Sequence, residues 1–251
     1  MPTRPIGTRS DHLPIQHPDY RYAPSKNPYA KKVEQLGHLI FSDNQTEAYR
    51  GAWRSHFPAT VGKAAGRKEL HVELGCNGGH VSLEWATRNP SALFVGLDWK
   101  FKQIYFGAEK AEKRKLQNLI FFRANLQRIQ YMFGAGEIDR LYLYFPDPWA
   151  KKSQWKNRSI TAESFRELAK IVKSGTGIFH IKTDHAGYFD WMLEALQPNL
   201  DLWEVIEQTR NLHAANPTPT QLQIPEVTLF EKLFIKEGLP IHSLKLRRRE
   251  S

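Results

Sequence analysis

From Glu69 onward the chain alternates short apolar runs with stretches in which apolar residues recur every three or four positions, the pattern of strands interleaved with amphipathic helices. The runs Leu70–Leu74, Leu93–Leu97, Leu119–Phe122, Leu141–Phe145, Ile178–Lys182 and Trp203–Gln208 read as strands, and Ile241–Leu246 alternates as a final, antiparallel one. The spacing predicts a helix over Gly79–Arg88, stopped by Asn89-Pro90, because the residue before a proline is driven out of helical geometry. A second helix is predicted over Lys100–Leu116, with Phe101, Ile104, Tyr105 and Ala108 on one face and lysines opposite. A third carries Phe165, Leu168, Ala169 and Val172 into Gly175-Thr176-Gly177, and a fourth covers Tyr188–Leu196. Strands and helices in alternation predict an α/β, doubly wound sheet, mostly parallel with an antiparallel last strand.

Two stretches break this pattern. Residues up to about Lys31 are rich in Pro, Arg, Asn and Tyr without periodicity, so residues 1–35 are expected to form a flexible N-terminal arm and 36–251 the folded domain. The segment Asn211–Pro225 contains Pro217, Pro219 and Pro225 and is longer than a simple connection requires.

Composition narrows the classes. A chain of 251 residues can bury a full core in one large domain. No apolar run approaches bilayer-spanning length, and Met1–Asp19 lacks the apolar core and cleavage pattern of a secretory signal. The expectation is therefore a cytoplasmic protein with no membrane contact. The single cysteine, Cys76, rules out an internal disulfide and a thiolate zinc site. The ten histidines show no paired-ligand spacing, so no metal is expected. Thirty-six Lys and Arg against 26 Asp and Glu leave a net charge of +10, which favours a polyanionic partner. Monomer and homodimer both remain open.

Candidate chemistry clusters at strand ends. Glu73-Leu74-Gly75-Cys76-Asn77-Gly78-Gly79-His80 lies where the first predicted strand passes into a helix, and glycine there lets the backbone turn tightly and approach a ligand. The dinucleotide fingerprint wants glycine where Asn77 stands, which impairs a nicotinamide reading. The spacing is similar instead to the E-x-G-x-x-G loop of class I methyltransferases. Their donor, S-adenosylmethionine, has no phosphate and carries an ammonium and a sulfonium, which a carboxylate such as Glu73 can face. Asp98 ends the second strand about twenty residues beyond the loop, the interval at which a carboxylate reaches ribose hydroxyls. Asn125 follows the third strand, where a short polar side chain commonly meets the adenine in this fold. Asp98 and Asn125 also suit helix N-caps. Cys76 reads as a small loop residue rather than a nucleophile.

The strand Leu141–Phe145 runs into Pro146-Asp147-Pro148-Trp149. Its prolines fix the backbone so that Asp147 projects from the carboxyl edge of the sheet. Phe145-Pro146-Asp147-Pro148-Trp149-Ala150-Lys151-Lys152 is similar to the F-P-D-P-W-x-K signature of the bacterial tRNA (guanine-N7)-methyltransferases. Thr183-Asp184-His185 matches their T-D-W/H element, and Thr228-Leu229-Phe230-Glu231 their T-x-F/Y-E element. The resemblance runs from about Leu36 to Leu246.

It implies a Rossmann-like class I methyltransferase sheet, S-adenosyl-L-methionine as cofactor, and methylation of guanine N7 in tRNA, at guanine 46 of the variable loop. It further implies that Glu73, Gly75, Asp98, Asn125 and Asp147 contact the cofactor, with Asp147 also catalytic. Lys151, Asp184, Thr228 and Glu231 are the matching substrate positions. The chain departs from the family at Ser153-Gln154-Trp155-Lys156-Asn157-Arg158, where a more basic stretch is usual; Trp155 is expected to compensate by stacking on a base. The tail Lys245–Arg249 adds charge and reads as a solvated terminus.

Two other classes fit parts of the pattern. Pro146-Asp147-Pro148-Trp149 also resembles the D/N-P-P-Y/W turn of adenine-N6 methyltransferases, and a non-catalytic RNA-binding partner subunit would share the basic charge.

Overall fold

The computed structural model describes residues 27–58, 68–213 and 228–250. Its centre is β2 (Leu70–Leu74), all five residues of which are buried. Parallel to it on one side lie β3 (Leu93–Asp98), β4 (Leu119–Arg123) and the short β1 (Ile40–Ser42). On the other side come β5 (Arg140–Tyr144) and β6 (Ile178–Thr183), also parallel. β8 (His242–Arg248) then runs antiparallel between β6 and the edge strand β7 (Trp203–Thr209). The order is β1-β4-β3-β2-β5-β6-β8-β7.

Alternation along the strands feeds two cores. Ile120, Phe122, Leu141, Leu143, Phe179 and Ile181 face a cluster capped by α6 (Ala162–Ile171) and α7 (Ala186–Leu196), with Trp53 and Trp203 fully buried in it. Phe94, Phe121 and Tyr142 face the opposite cluster under α3 (His80–Arg88) and α4 (Phe101–Lys113). Helices on both faces are what a two-sided apolar strand requires.

β1 was not expected. Its three residues are too few to show a period, and it forms because β4 offers an open edge, with Ile40 opposite Phe121. α4 ends at Lys113 rather than Leu116, where Lys115 takes a positive φ of 55°. The basic tail is corrected as well. Lys245 and Arg248 lie buried in β8, Lys245 paired with Glu207 at 3.1 Å and Arg248 donating to the Ala169 and Leu202 carbonyls; paired cations inside a strand are not a solvated terminus.

Residues 30–35 form the helix α1, and Tyr29 beside it packs its ring 5.7 Å from those of Tyr105 and Phe106 on α4. The rest of the expected N-terminal arm, and most of the proline-containing segment before α8 (Leu229–Lys236), lie outside the described residues. Among the described residues no helix is long and apolar enough to cross a membrane.

Candidate active site

Strand order reverses between β2 and β5, which stay parallel: the strands are added outward from β2 through β3 to β4, then resume on the other side. A crevice opens at the carboxyl ends of the strands at such a switch point. Register brings the expected residues there, since Leu74 pairs with Leu97 and Leu143, and Tyr144 with Lys182.

The loop after β2 curls through three left-handed residues, Gly75 (φ 70°), Asn77 (φ 51°) and Gly79 (φ 67°). Gly79 is fixed by contact, because a Cβ there would lie 2.7 Å from Cε1 of Phe121, whose ring also fills the space beside Gly96 and Gly107. A Cβ on Gly75 would meet nothing within 4 Å, so this glycine borders open space at the sheet edge.

The loop's amides are spent inside the protein. Cys76 N donates to the Leu97 carbonyl at 2.9 Å and Gly79 N to the Cys76 carbonyl at 2.8 Å. Asn77 N donates at 3.0 Å to Asp98, whose other oxygen accepts from Lys100 N at 2.9 Å. A pyrophosphate cradle needs such donors turned outward. With these amides committed and the carboxylates of Glu73 and Asp98 buried against it, the loop suits a cationic ligand without phosphate, such as S-adenosylmethionine. Asp98 is buried, and burial raises its pKa against the two amide bonds.

Glu73 is buried beneath the loop and accepts hydrogen bonds from the Ser82 amide, at 3.1 Å, and the Ser82 hydroxyl. Burial pushes its pKa up to about 7. Burial also raises the Cys76 thiol well above its usual range, which removes it as a nucleophile. Asn125, two residues past β4, caps the turn Leu126–Arg128 as the N-cap reading expects, accepting from Gln127 N at 3.0 Å.

Asp147 stands exposed in a turn strained at both ends, Phe145 having φ 51° and Trp149 φ 45°. Two contacts hold that turn. Phe145 N donates to the Lys182 carbonyl at 2.8 Å, and Arg158 Nε donates to the Pro148 carbonyl at 3.0 Å. The Arg158 guanidinium is buried among rings, 4.6 Å from Trp155, 4.9 Å from Tyr188 and 4.8 Å from Trp191. Trp155, expected to stack on a base, packs against Trp191 and Arg158 and is half-buried. Lys151 is exposed at the start of the following turn, Lys152–Asn157. Asp184 is half-buried between β6 and α7.

Thr228 and Glu231, the expected substrate positions, are both buried. They form a capping box at the start of α8, with Glu231 N bonded to Thr228 Oγ1 at 2.9 Å and Thr228 N to Glu231 Oε2 at 3.2 Å. Glu231 is 0% exposed, and its oxygens also take Lys182 and His213. Both side chains anchor α8.

The family model described as "Putative methyltransferase" matches residues 67–244. A tRNA (guanine-N(7)-)-methyltransferase of Bdellovibrio bacteriovorus is 29% identical over 214 residues, spanning 85% of this chain and 97% of that protein. Another, from Lachnoclostridium phytofermentans, is 30% identical over 200 residues, 79% of this chain and 86% of its own length. This chain belongs to the tRNA (guanine-N7)-methyltransferase family. It is an enzyme of the class I methyltransferase fold, with S-adenosyl-L-methionine as its methyl donor. The fold is shared with a solved antibiotic-related methyltransferase, at a TM-score of 0.50 and 14% identity over 71% of this chain and 86% of that one.

Sequence reading of this tRNA (guanine-N7)-methyltransferase assigned no role to three residues that lie beside these elements. Trp99, 64% exposed beside Asp98, carried a signal as a large aromatic at a strand end. Lys182 and Arg158 are defined by partners far away in the chain and carried none.

Proposed function

We propose that this enzyme transfers a methyl group to N7 of a guanine in tRNA, at guanine 46 of the variable loop, and that it works in the cytoplasm where tRNA resides. The observation that carries the reading is the exposed carboxylate of Asp147, fixed by Pro146 and Pro148 at the same sheet edge as Gly75 and Asp98. S-adenosylmethionine supplies an electrophilic methyl, whose bond to sulfur breaks as the bond to N7 forms and whose positive charge passes to the guanine.

Guanine N7 has an in-plane lone pair and no proton, so the protein has no proton to remove and catalysis consists of alignment. In this reading Glu73, Gly75, Asp98 and Asn125 hold the donor, and the exposed face of Trp99 receives its adenine. Asp147 completes the donor site and faces the guanine as it becomes cationic, an interaction stronger in the transition state than in the ground state. Asp184 orients the base, and Lys151 meets backbone phosphate. Thr228 and Glu231 contribute indirectly by fixing α8.

The test is methylation of tRNA transcripts with guanosine or 7-deazaguanosine at position 46, read by nucleoside mass spectrometry. The guanosine transcript should gain one methyl at N7. The deaza transcript keeps the Watson–Crick edge, lacks only the nucleophilic nitrogen, and should bind without accepting a methyl. Undiminished methylation of the deaza transcript would refute the assignment, and label recovered as N6-methyladenosine would replace it with the adenine reading.

A further inference from the structure

Glu73 is the fourth residue of β2, opposite Gly96 on β3 and Tyr142 on β5, and it is buried under the start of α3. A carboxylate inside a central strand is costly unless something answers its charge. The titratable groups around it are Asp98 on β3, Cys76 in the loop, and Tyr142 and Tyr144 on β5. None of these four is a cation. The hydrogen bonds that Glu73 accepts among the described residues come from one residue, Ser82.

Ser82 is the third residue of α3, a position whose amide has no partner within its own helix. Gly79, at the N-cap, has no side chain to take that amide. It donates instead to Glu73 Oε2 at 3.1 Å, and the Ser82 hydroxyl donates to the same oxygen. Two donors on one oxygen fix where the carboxylate lies and leave Oε1 to another partner. Burial raises the Glu73 pKa, and the two Ser82 bonds work against that rise, so the serine favours the anion that a cationic ligand needs. We propose that Ser82 is a positioning residue for the cofactor, holding Glu73 Oε2 so that Oε1 takes the ammonium of S-adenosylmethionine. The inference rests on the reading of Glu73 as a contact of the methyl donor.

The experiment measures S-adenosylmethionine binding by calorimetry from pH 6 to 8.5 for wild type, Ser82→Ala, Glu73→Gln and the double variant. Alanine keeps the amide bond and suits a helix, so thermal melts serve only to confirm that each protein is folded. Glu73 titrates at about pH 7 in the wild type, and loss of the hydroxyl bond should move that midpoint up by about one pH unit. The Kd of Ser82→Ala should then exceed that of wild type by about fivefold at pH 7, by more at pH 6, and by little at pH 8.5, where Glu73 is ionised in both. Titration of the ligand's own amine is common to both proteins and cancels in the ratio. In the Glu73→Gln background, Ser82→Ala should give a ratio that does not change with pH.

A ratio that is the same at every pH in the Glu73 background would make the hydroxyl a cap of α3 alone and overturn the proposal, with Glu73 still a donor contact if Glu73→Gln binds weakly. Wild-type affinity in Glu73→Gln at pH 8.5 would instead remove Glu73 from the donor site, and the role of Ser82 with it.

Discussion

Lys182 on β6 places its ammonium 3.0 Å from each carboxylate oxygen of Glu231 on α8, in a pair almost wholly removed from water. The ammonium also sits 4.8 Å from the centre of the Tyr144 ring. Few other contacts hold α8, because Glu231 is its one buried side chain described and Phe230, Leu233 and Ile235 are exposed. The pair thus decides where the helix sits relative to Asp147.

Breaking that pair from one side should be costly. Glu231→Ala strands a buried ammonium and removes the cap, with an expected loss of about 3 kcal/mol. Replacing both partners, Lys182→Met with Glu231→Leu, should recover most of it, since no buried charge is then left unpaired. Urea unfolding of the three proteins checks this, and a double variant as unstable as Glu231→Ala would show that the charges are not the source of the loss.

Glu73 should make stability depend on pH. Burial raises its folded pKa from the ordinary 4.5 to about 7, so between those values the native state holds a proton that the unfolded chain has released. Stability contributed by this residue therefore falls as pH rises through that window and is level on either side. The full span corresponds to about 3 kcal/mol, at about 1.4 kcal/mol per pH unit. Glu73→Gln should remove this part of the slope when unfolding is measured at pH 4 to 8, and an unchanged slope would assign the proton to another group.

The two glycines that open and close the loop should fail differently. Gly79→Ala must push a Cβ into the Phe121 ring at a positive φ, and should destabilise the fold by about 2 kcal/mol or more. Gly75→Ala meets only backbone strain, of about 1 kcal/mol, but places its methyl in the open space at the sheet edge. Calorimetry should find Gly75→Ala the milder in melting and the weaker in S-adenosylmethionine binding. Normal cofactor affinity in Gly75→Ala would take that space out of the donor site.

Arg158→Met should leave cofactor affinity intact and slow methyl transfer. The arginine holds the Pro148 carbonyl while its guanidinium lies between Trp155 and Trp191, so its loss frees the turn bearing Asp147. Misplacement of a reacting group by about 1 Å can cost 100-fold in rate, and a fall of at least about tenfold in single-turnover methylation is expected. Full activity in a folded Arg158→Met protein would show that the turn holds itself.

The alternation of strands and helices, the antiparallel last strand and the arrival of Gly75, Asp98, Asn125 and Asp147 at one sheet edge were legible in the sequence. Those features depend on periods of two and 3.6 residues and on turn residues, all read from neighbours within a few positions. Which way individual side chains face was set by packing between distant segments. Trp155 was spoken for by Trp191, Lys245 by Glu207 and Glu231 by Lys182, partners 36 to 49 residues away. The short β1 likewise needed the free edge of β4. A polar or aromatic residue beside a motif has the same local pattern whether it meets a ligand or the protein's own interior, and burial, which chooses between them, is a property of the packed chain.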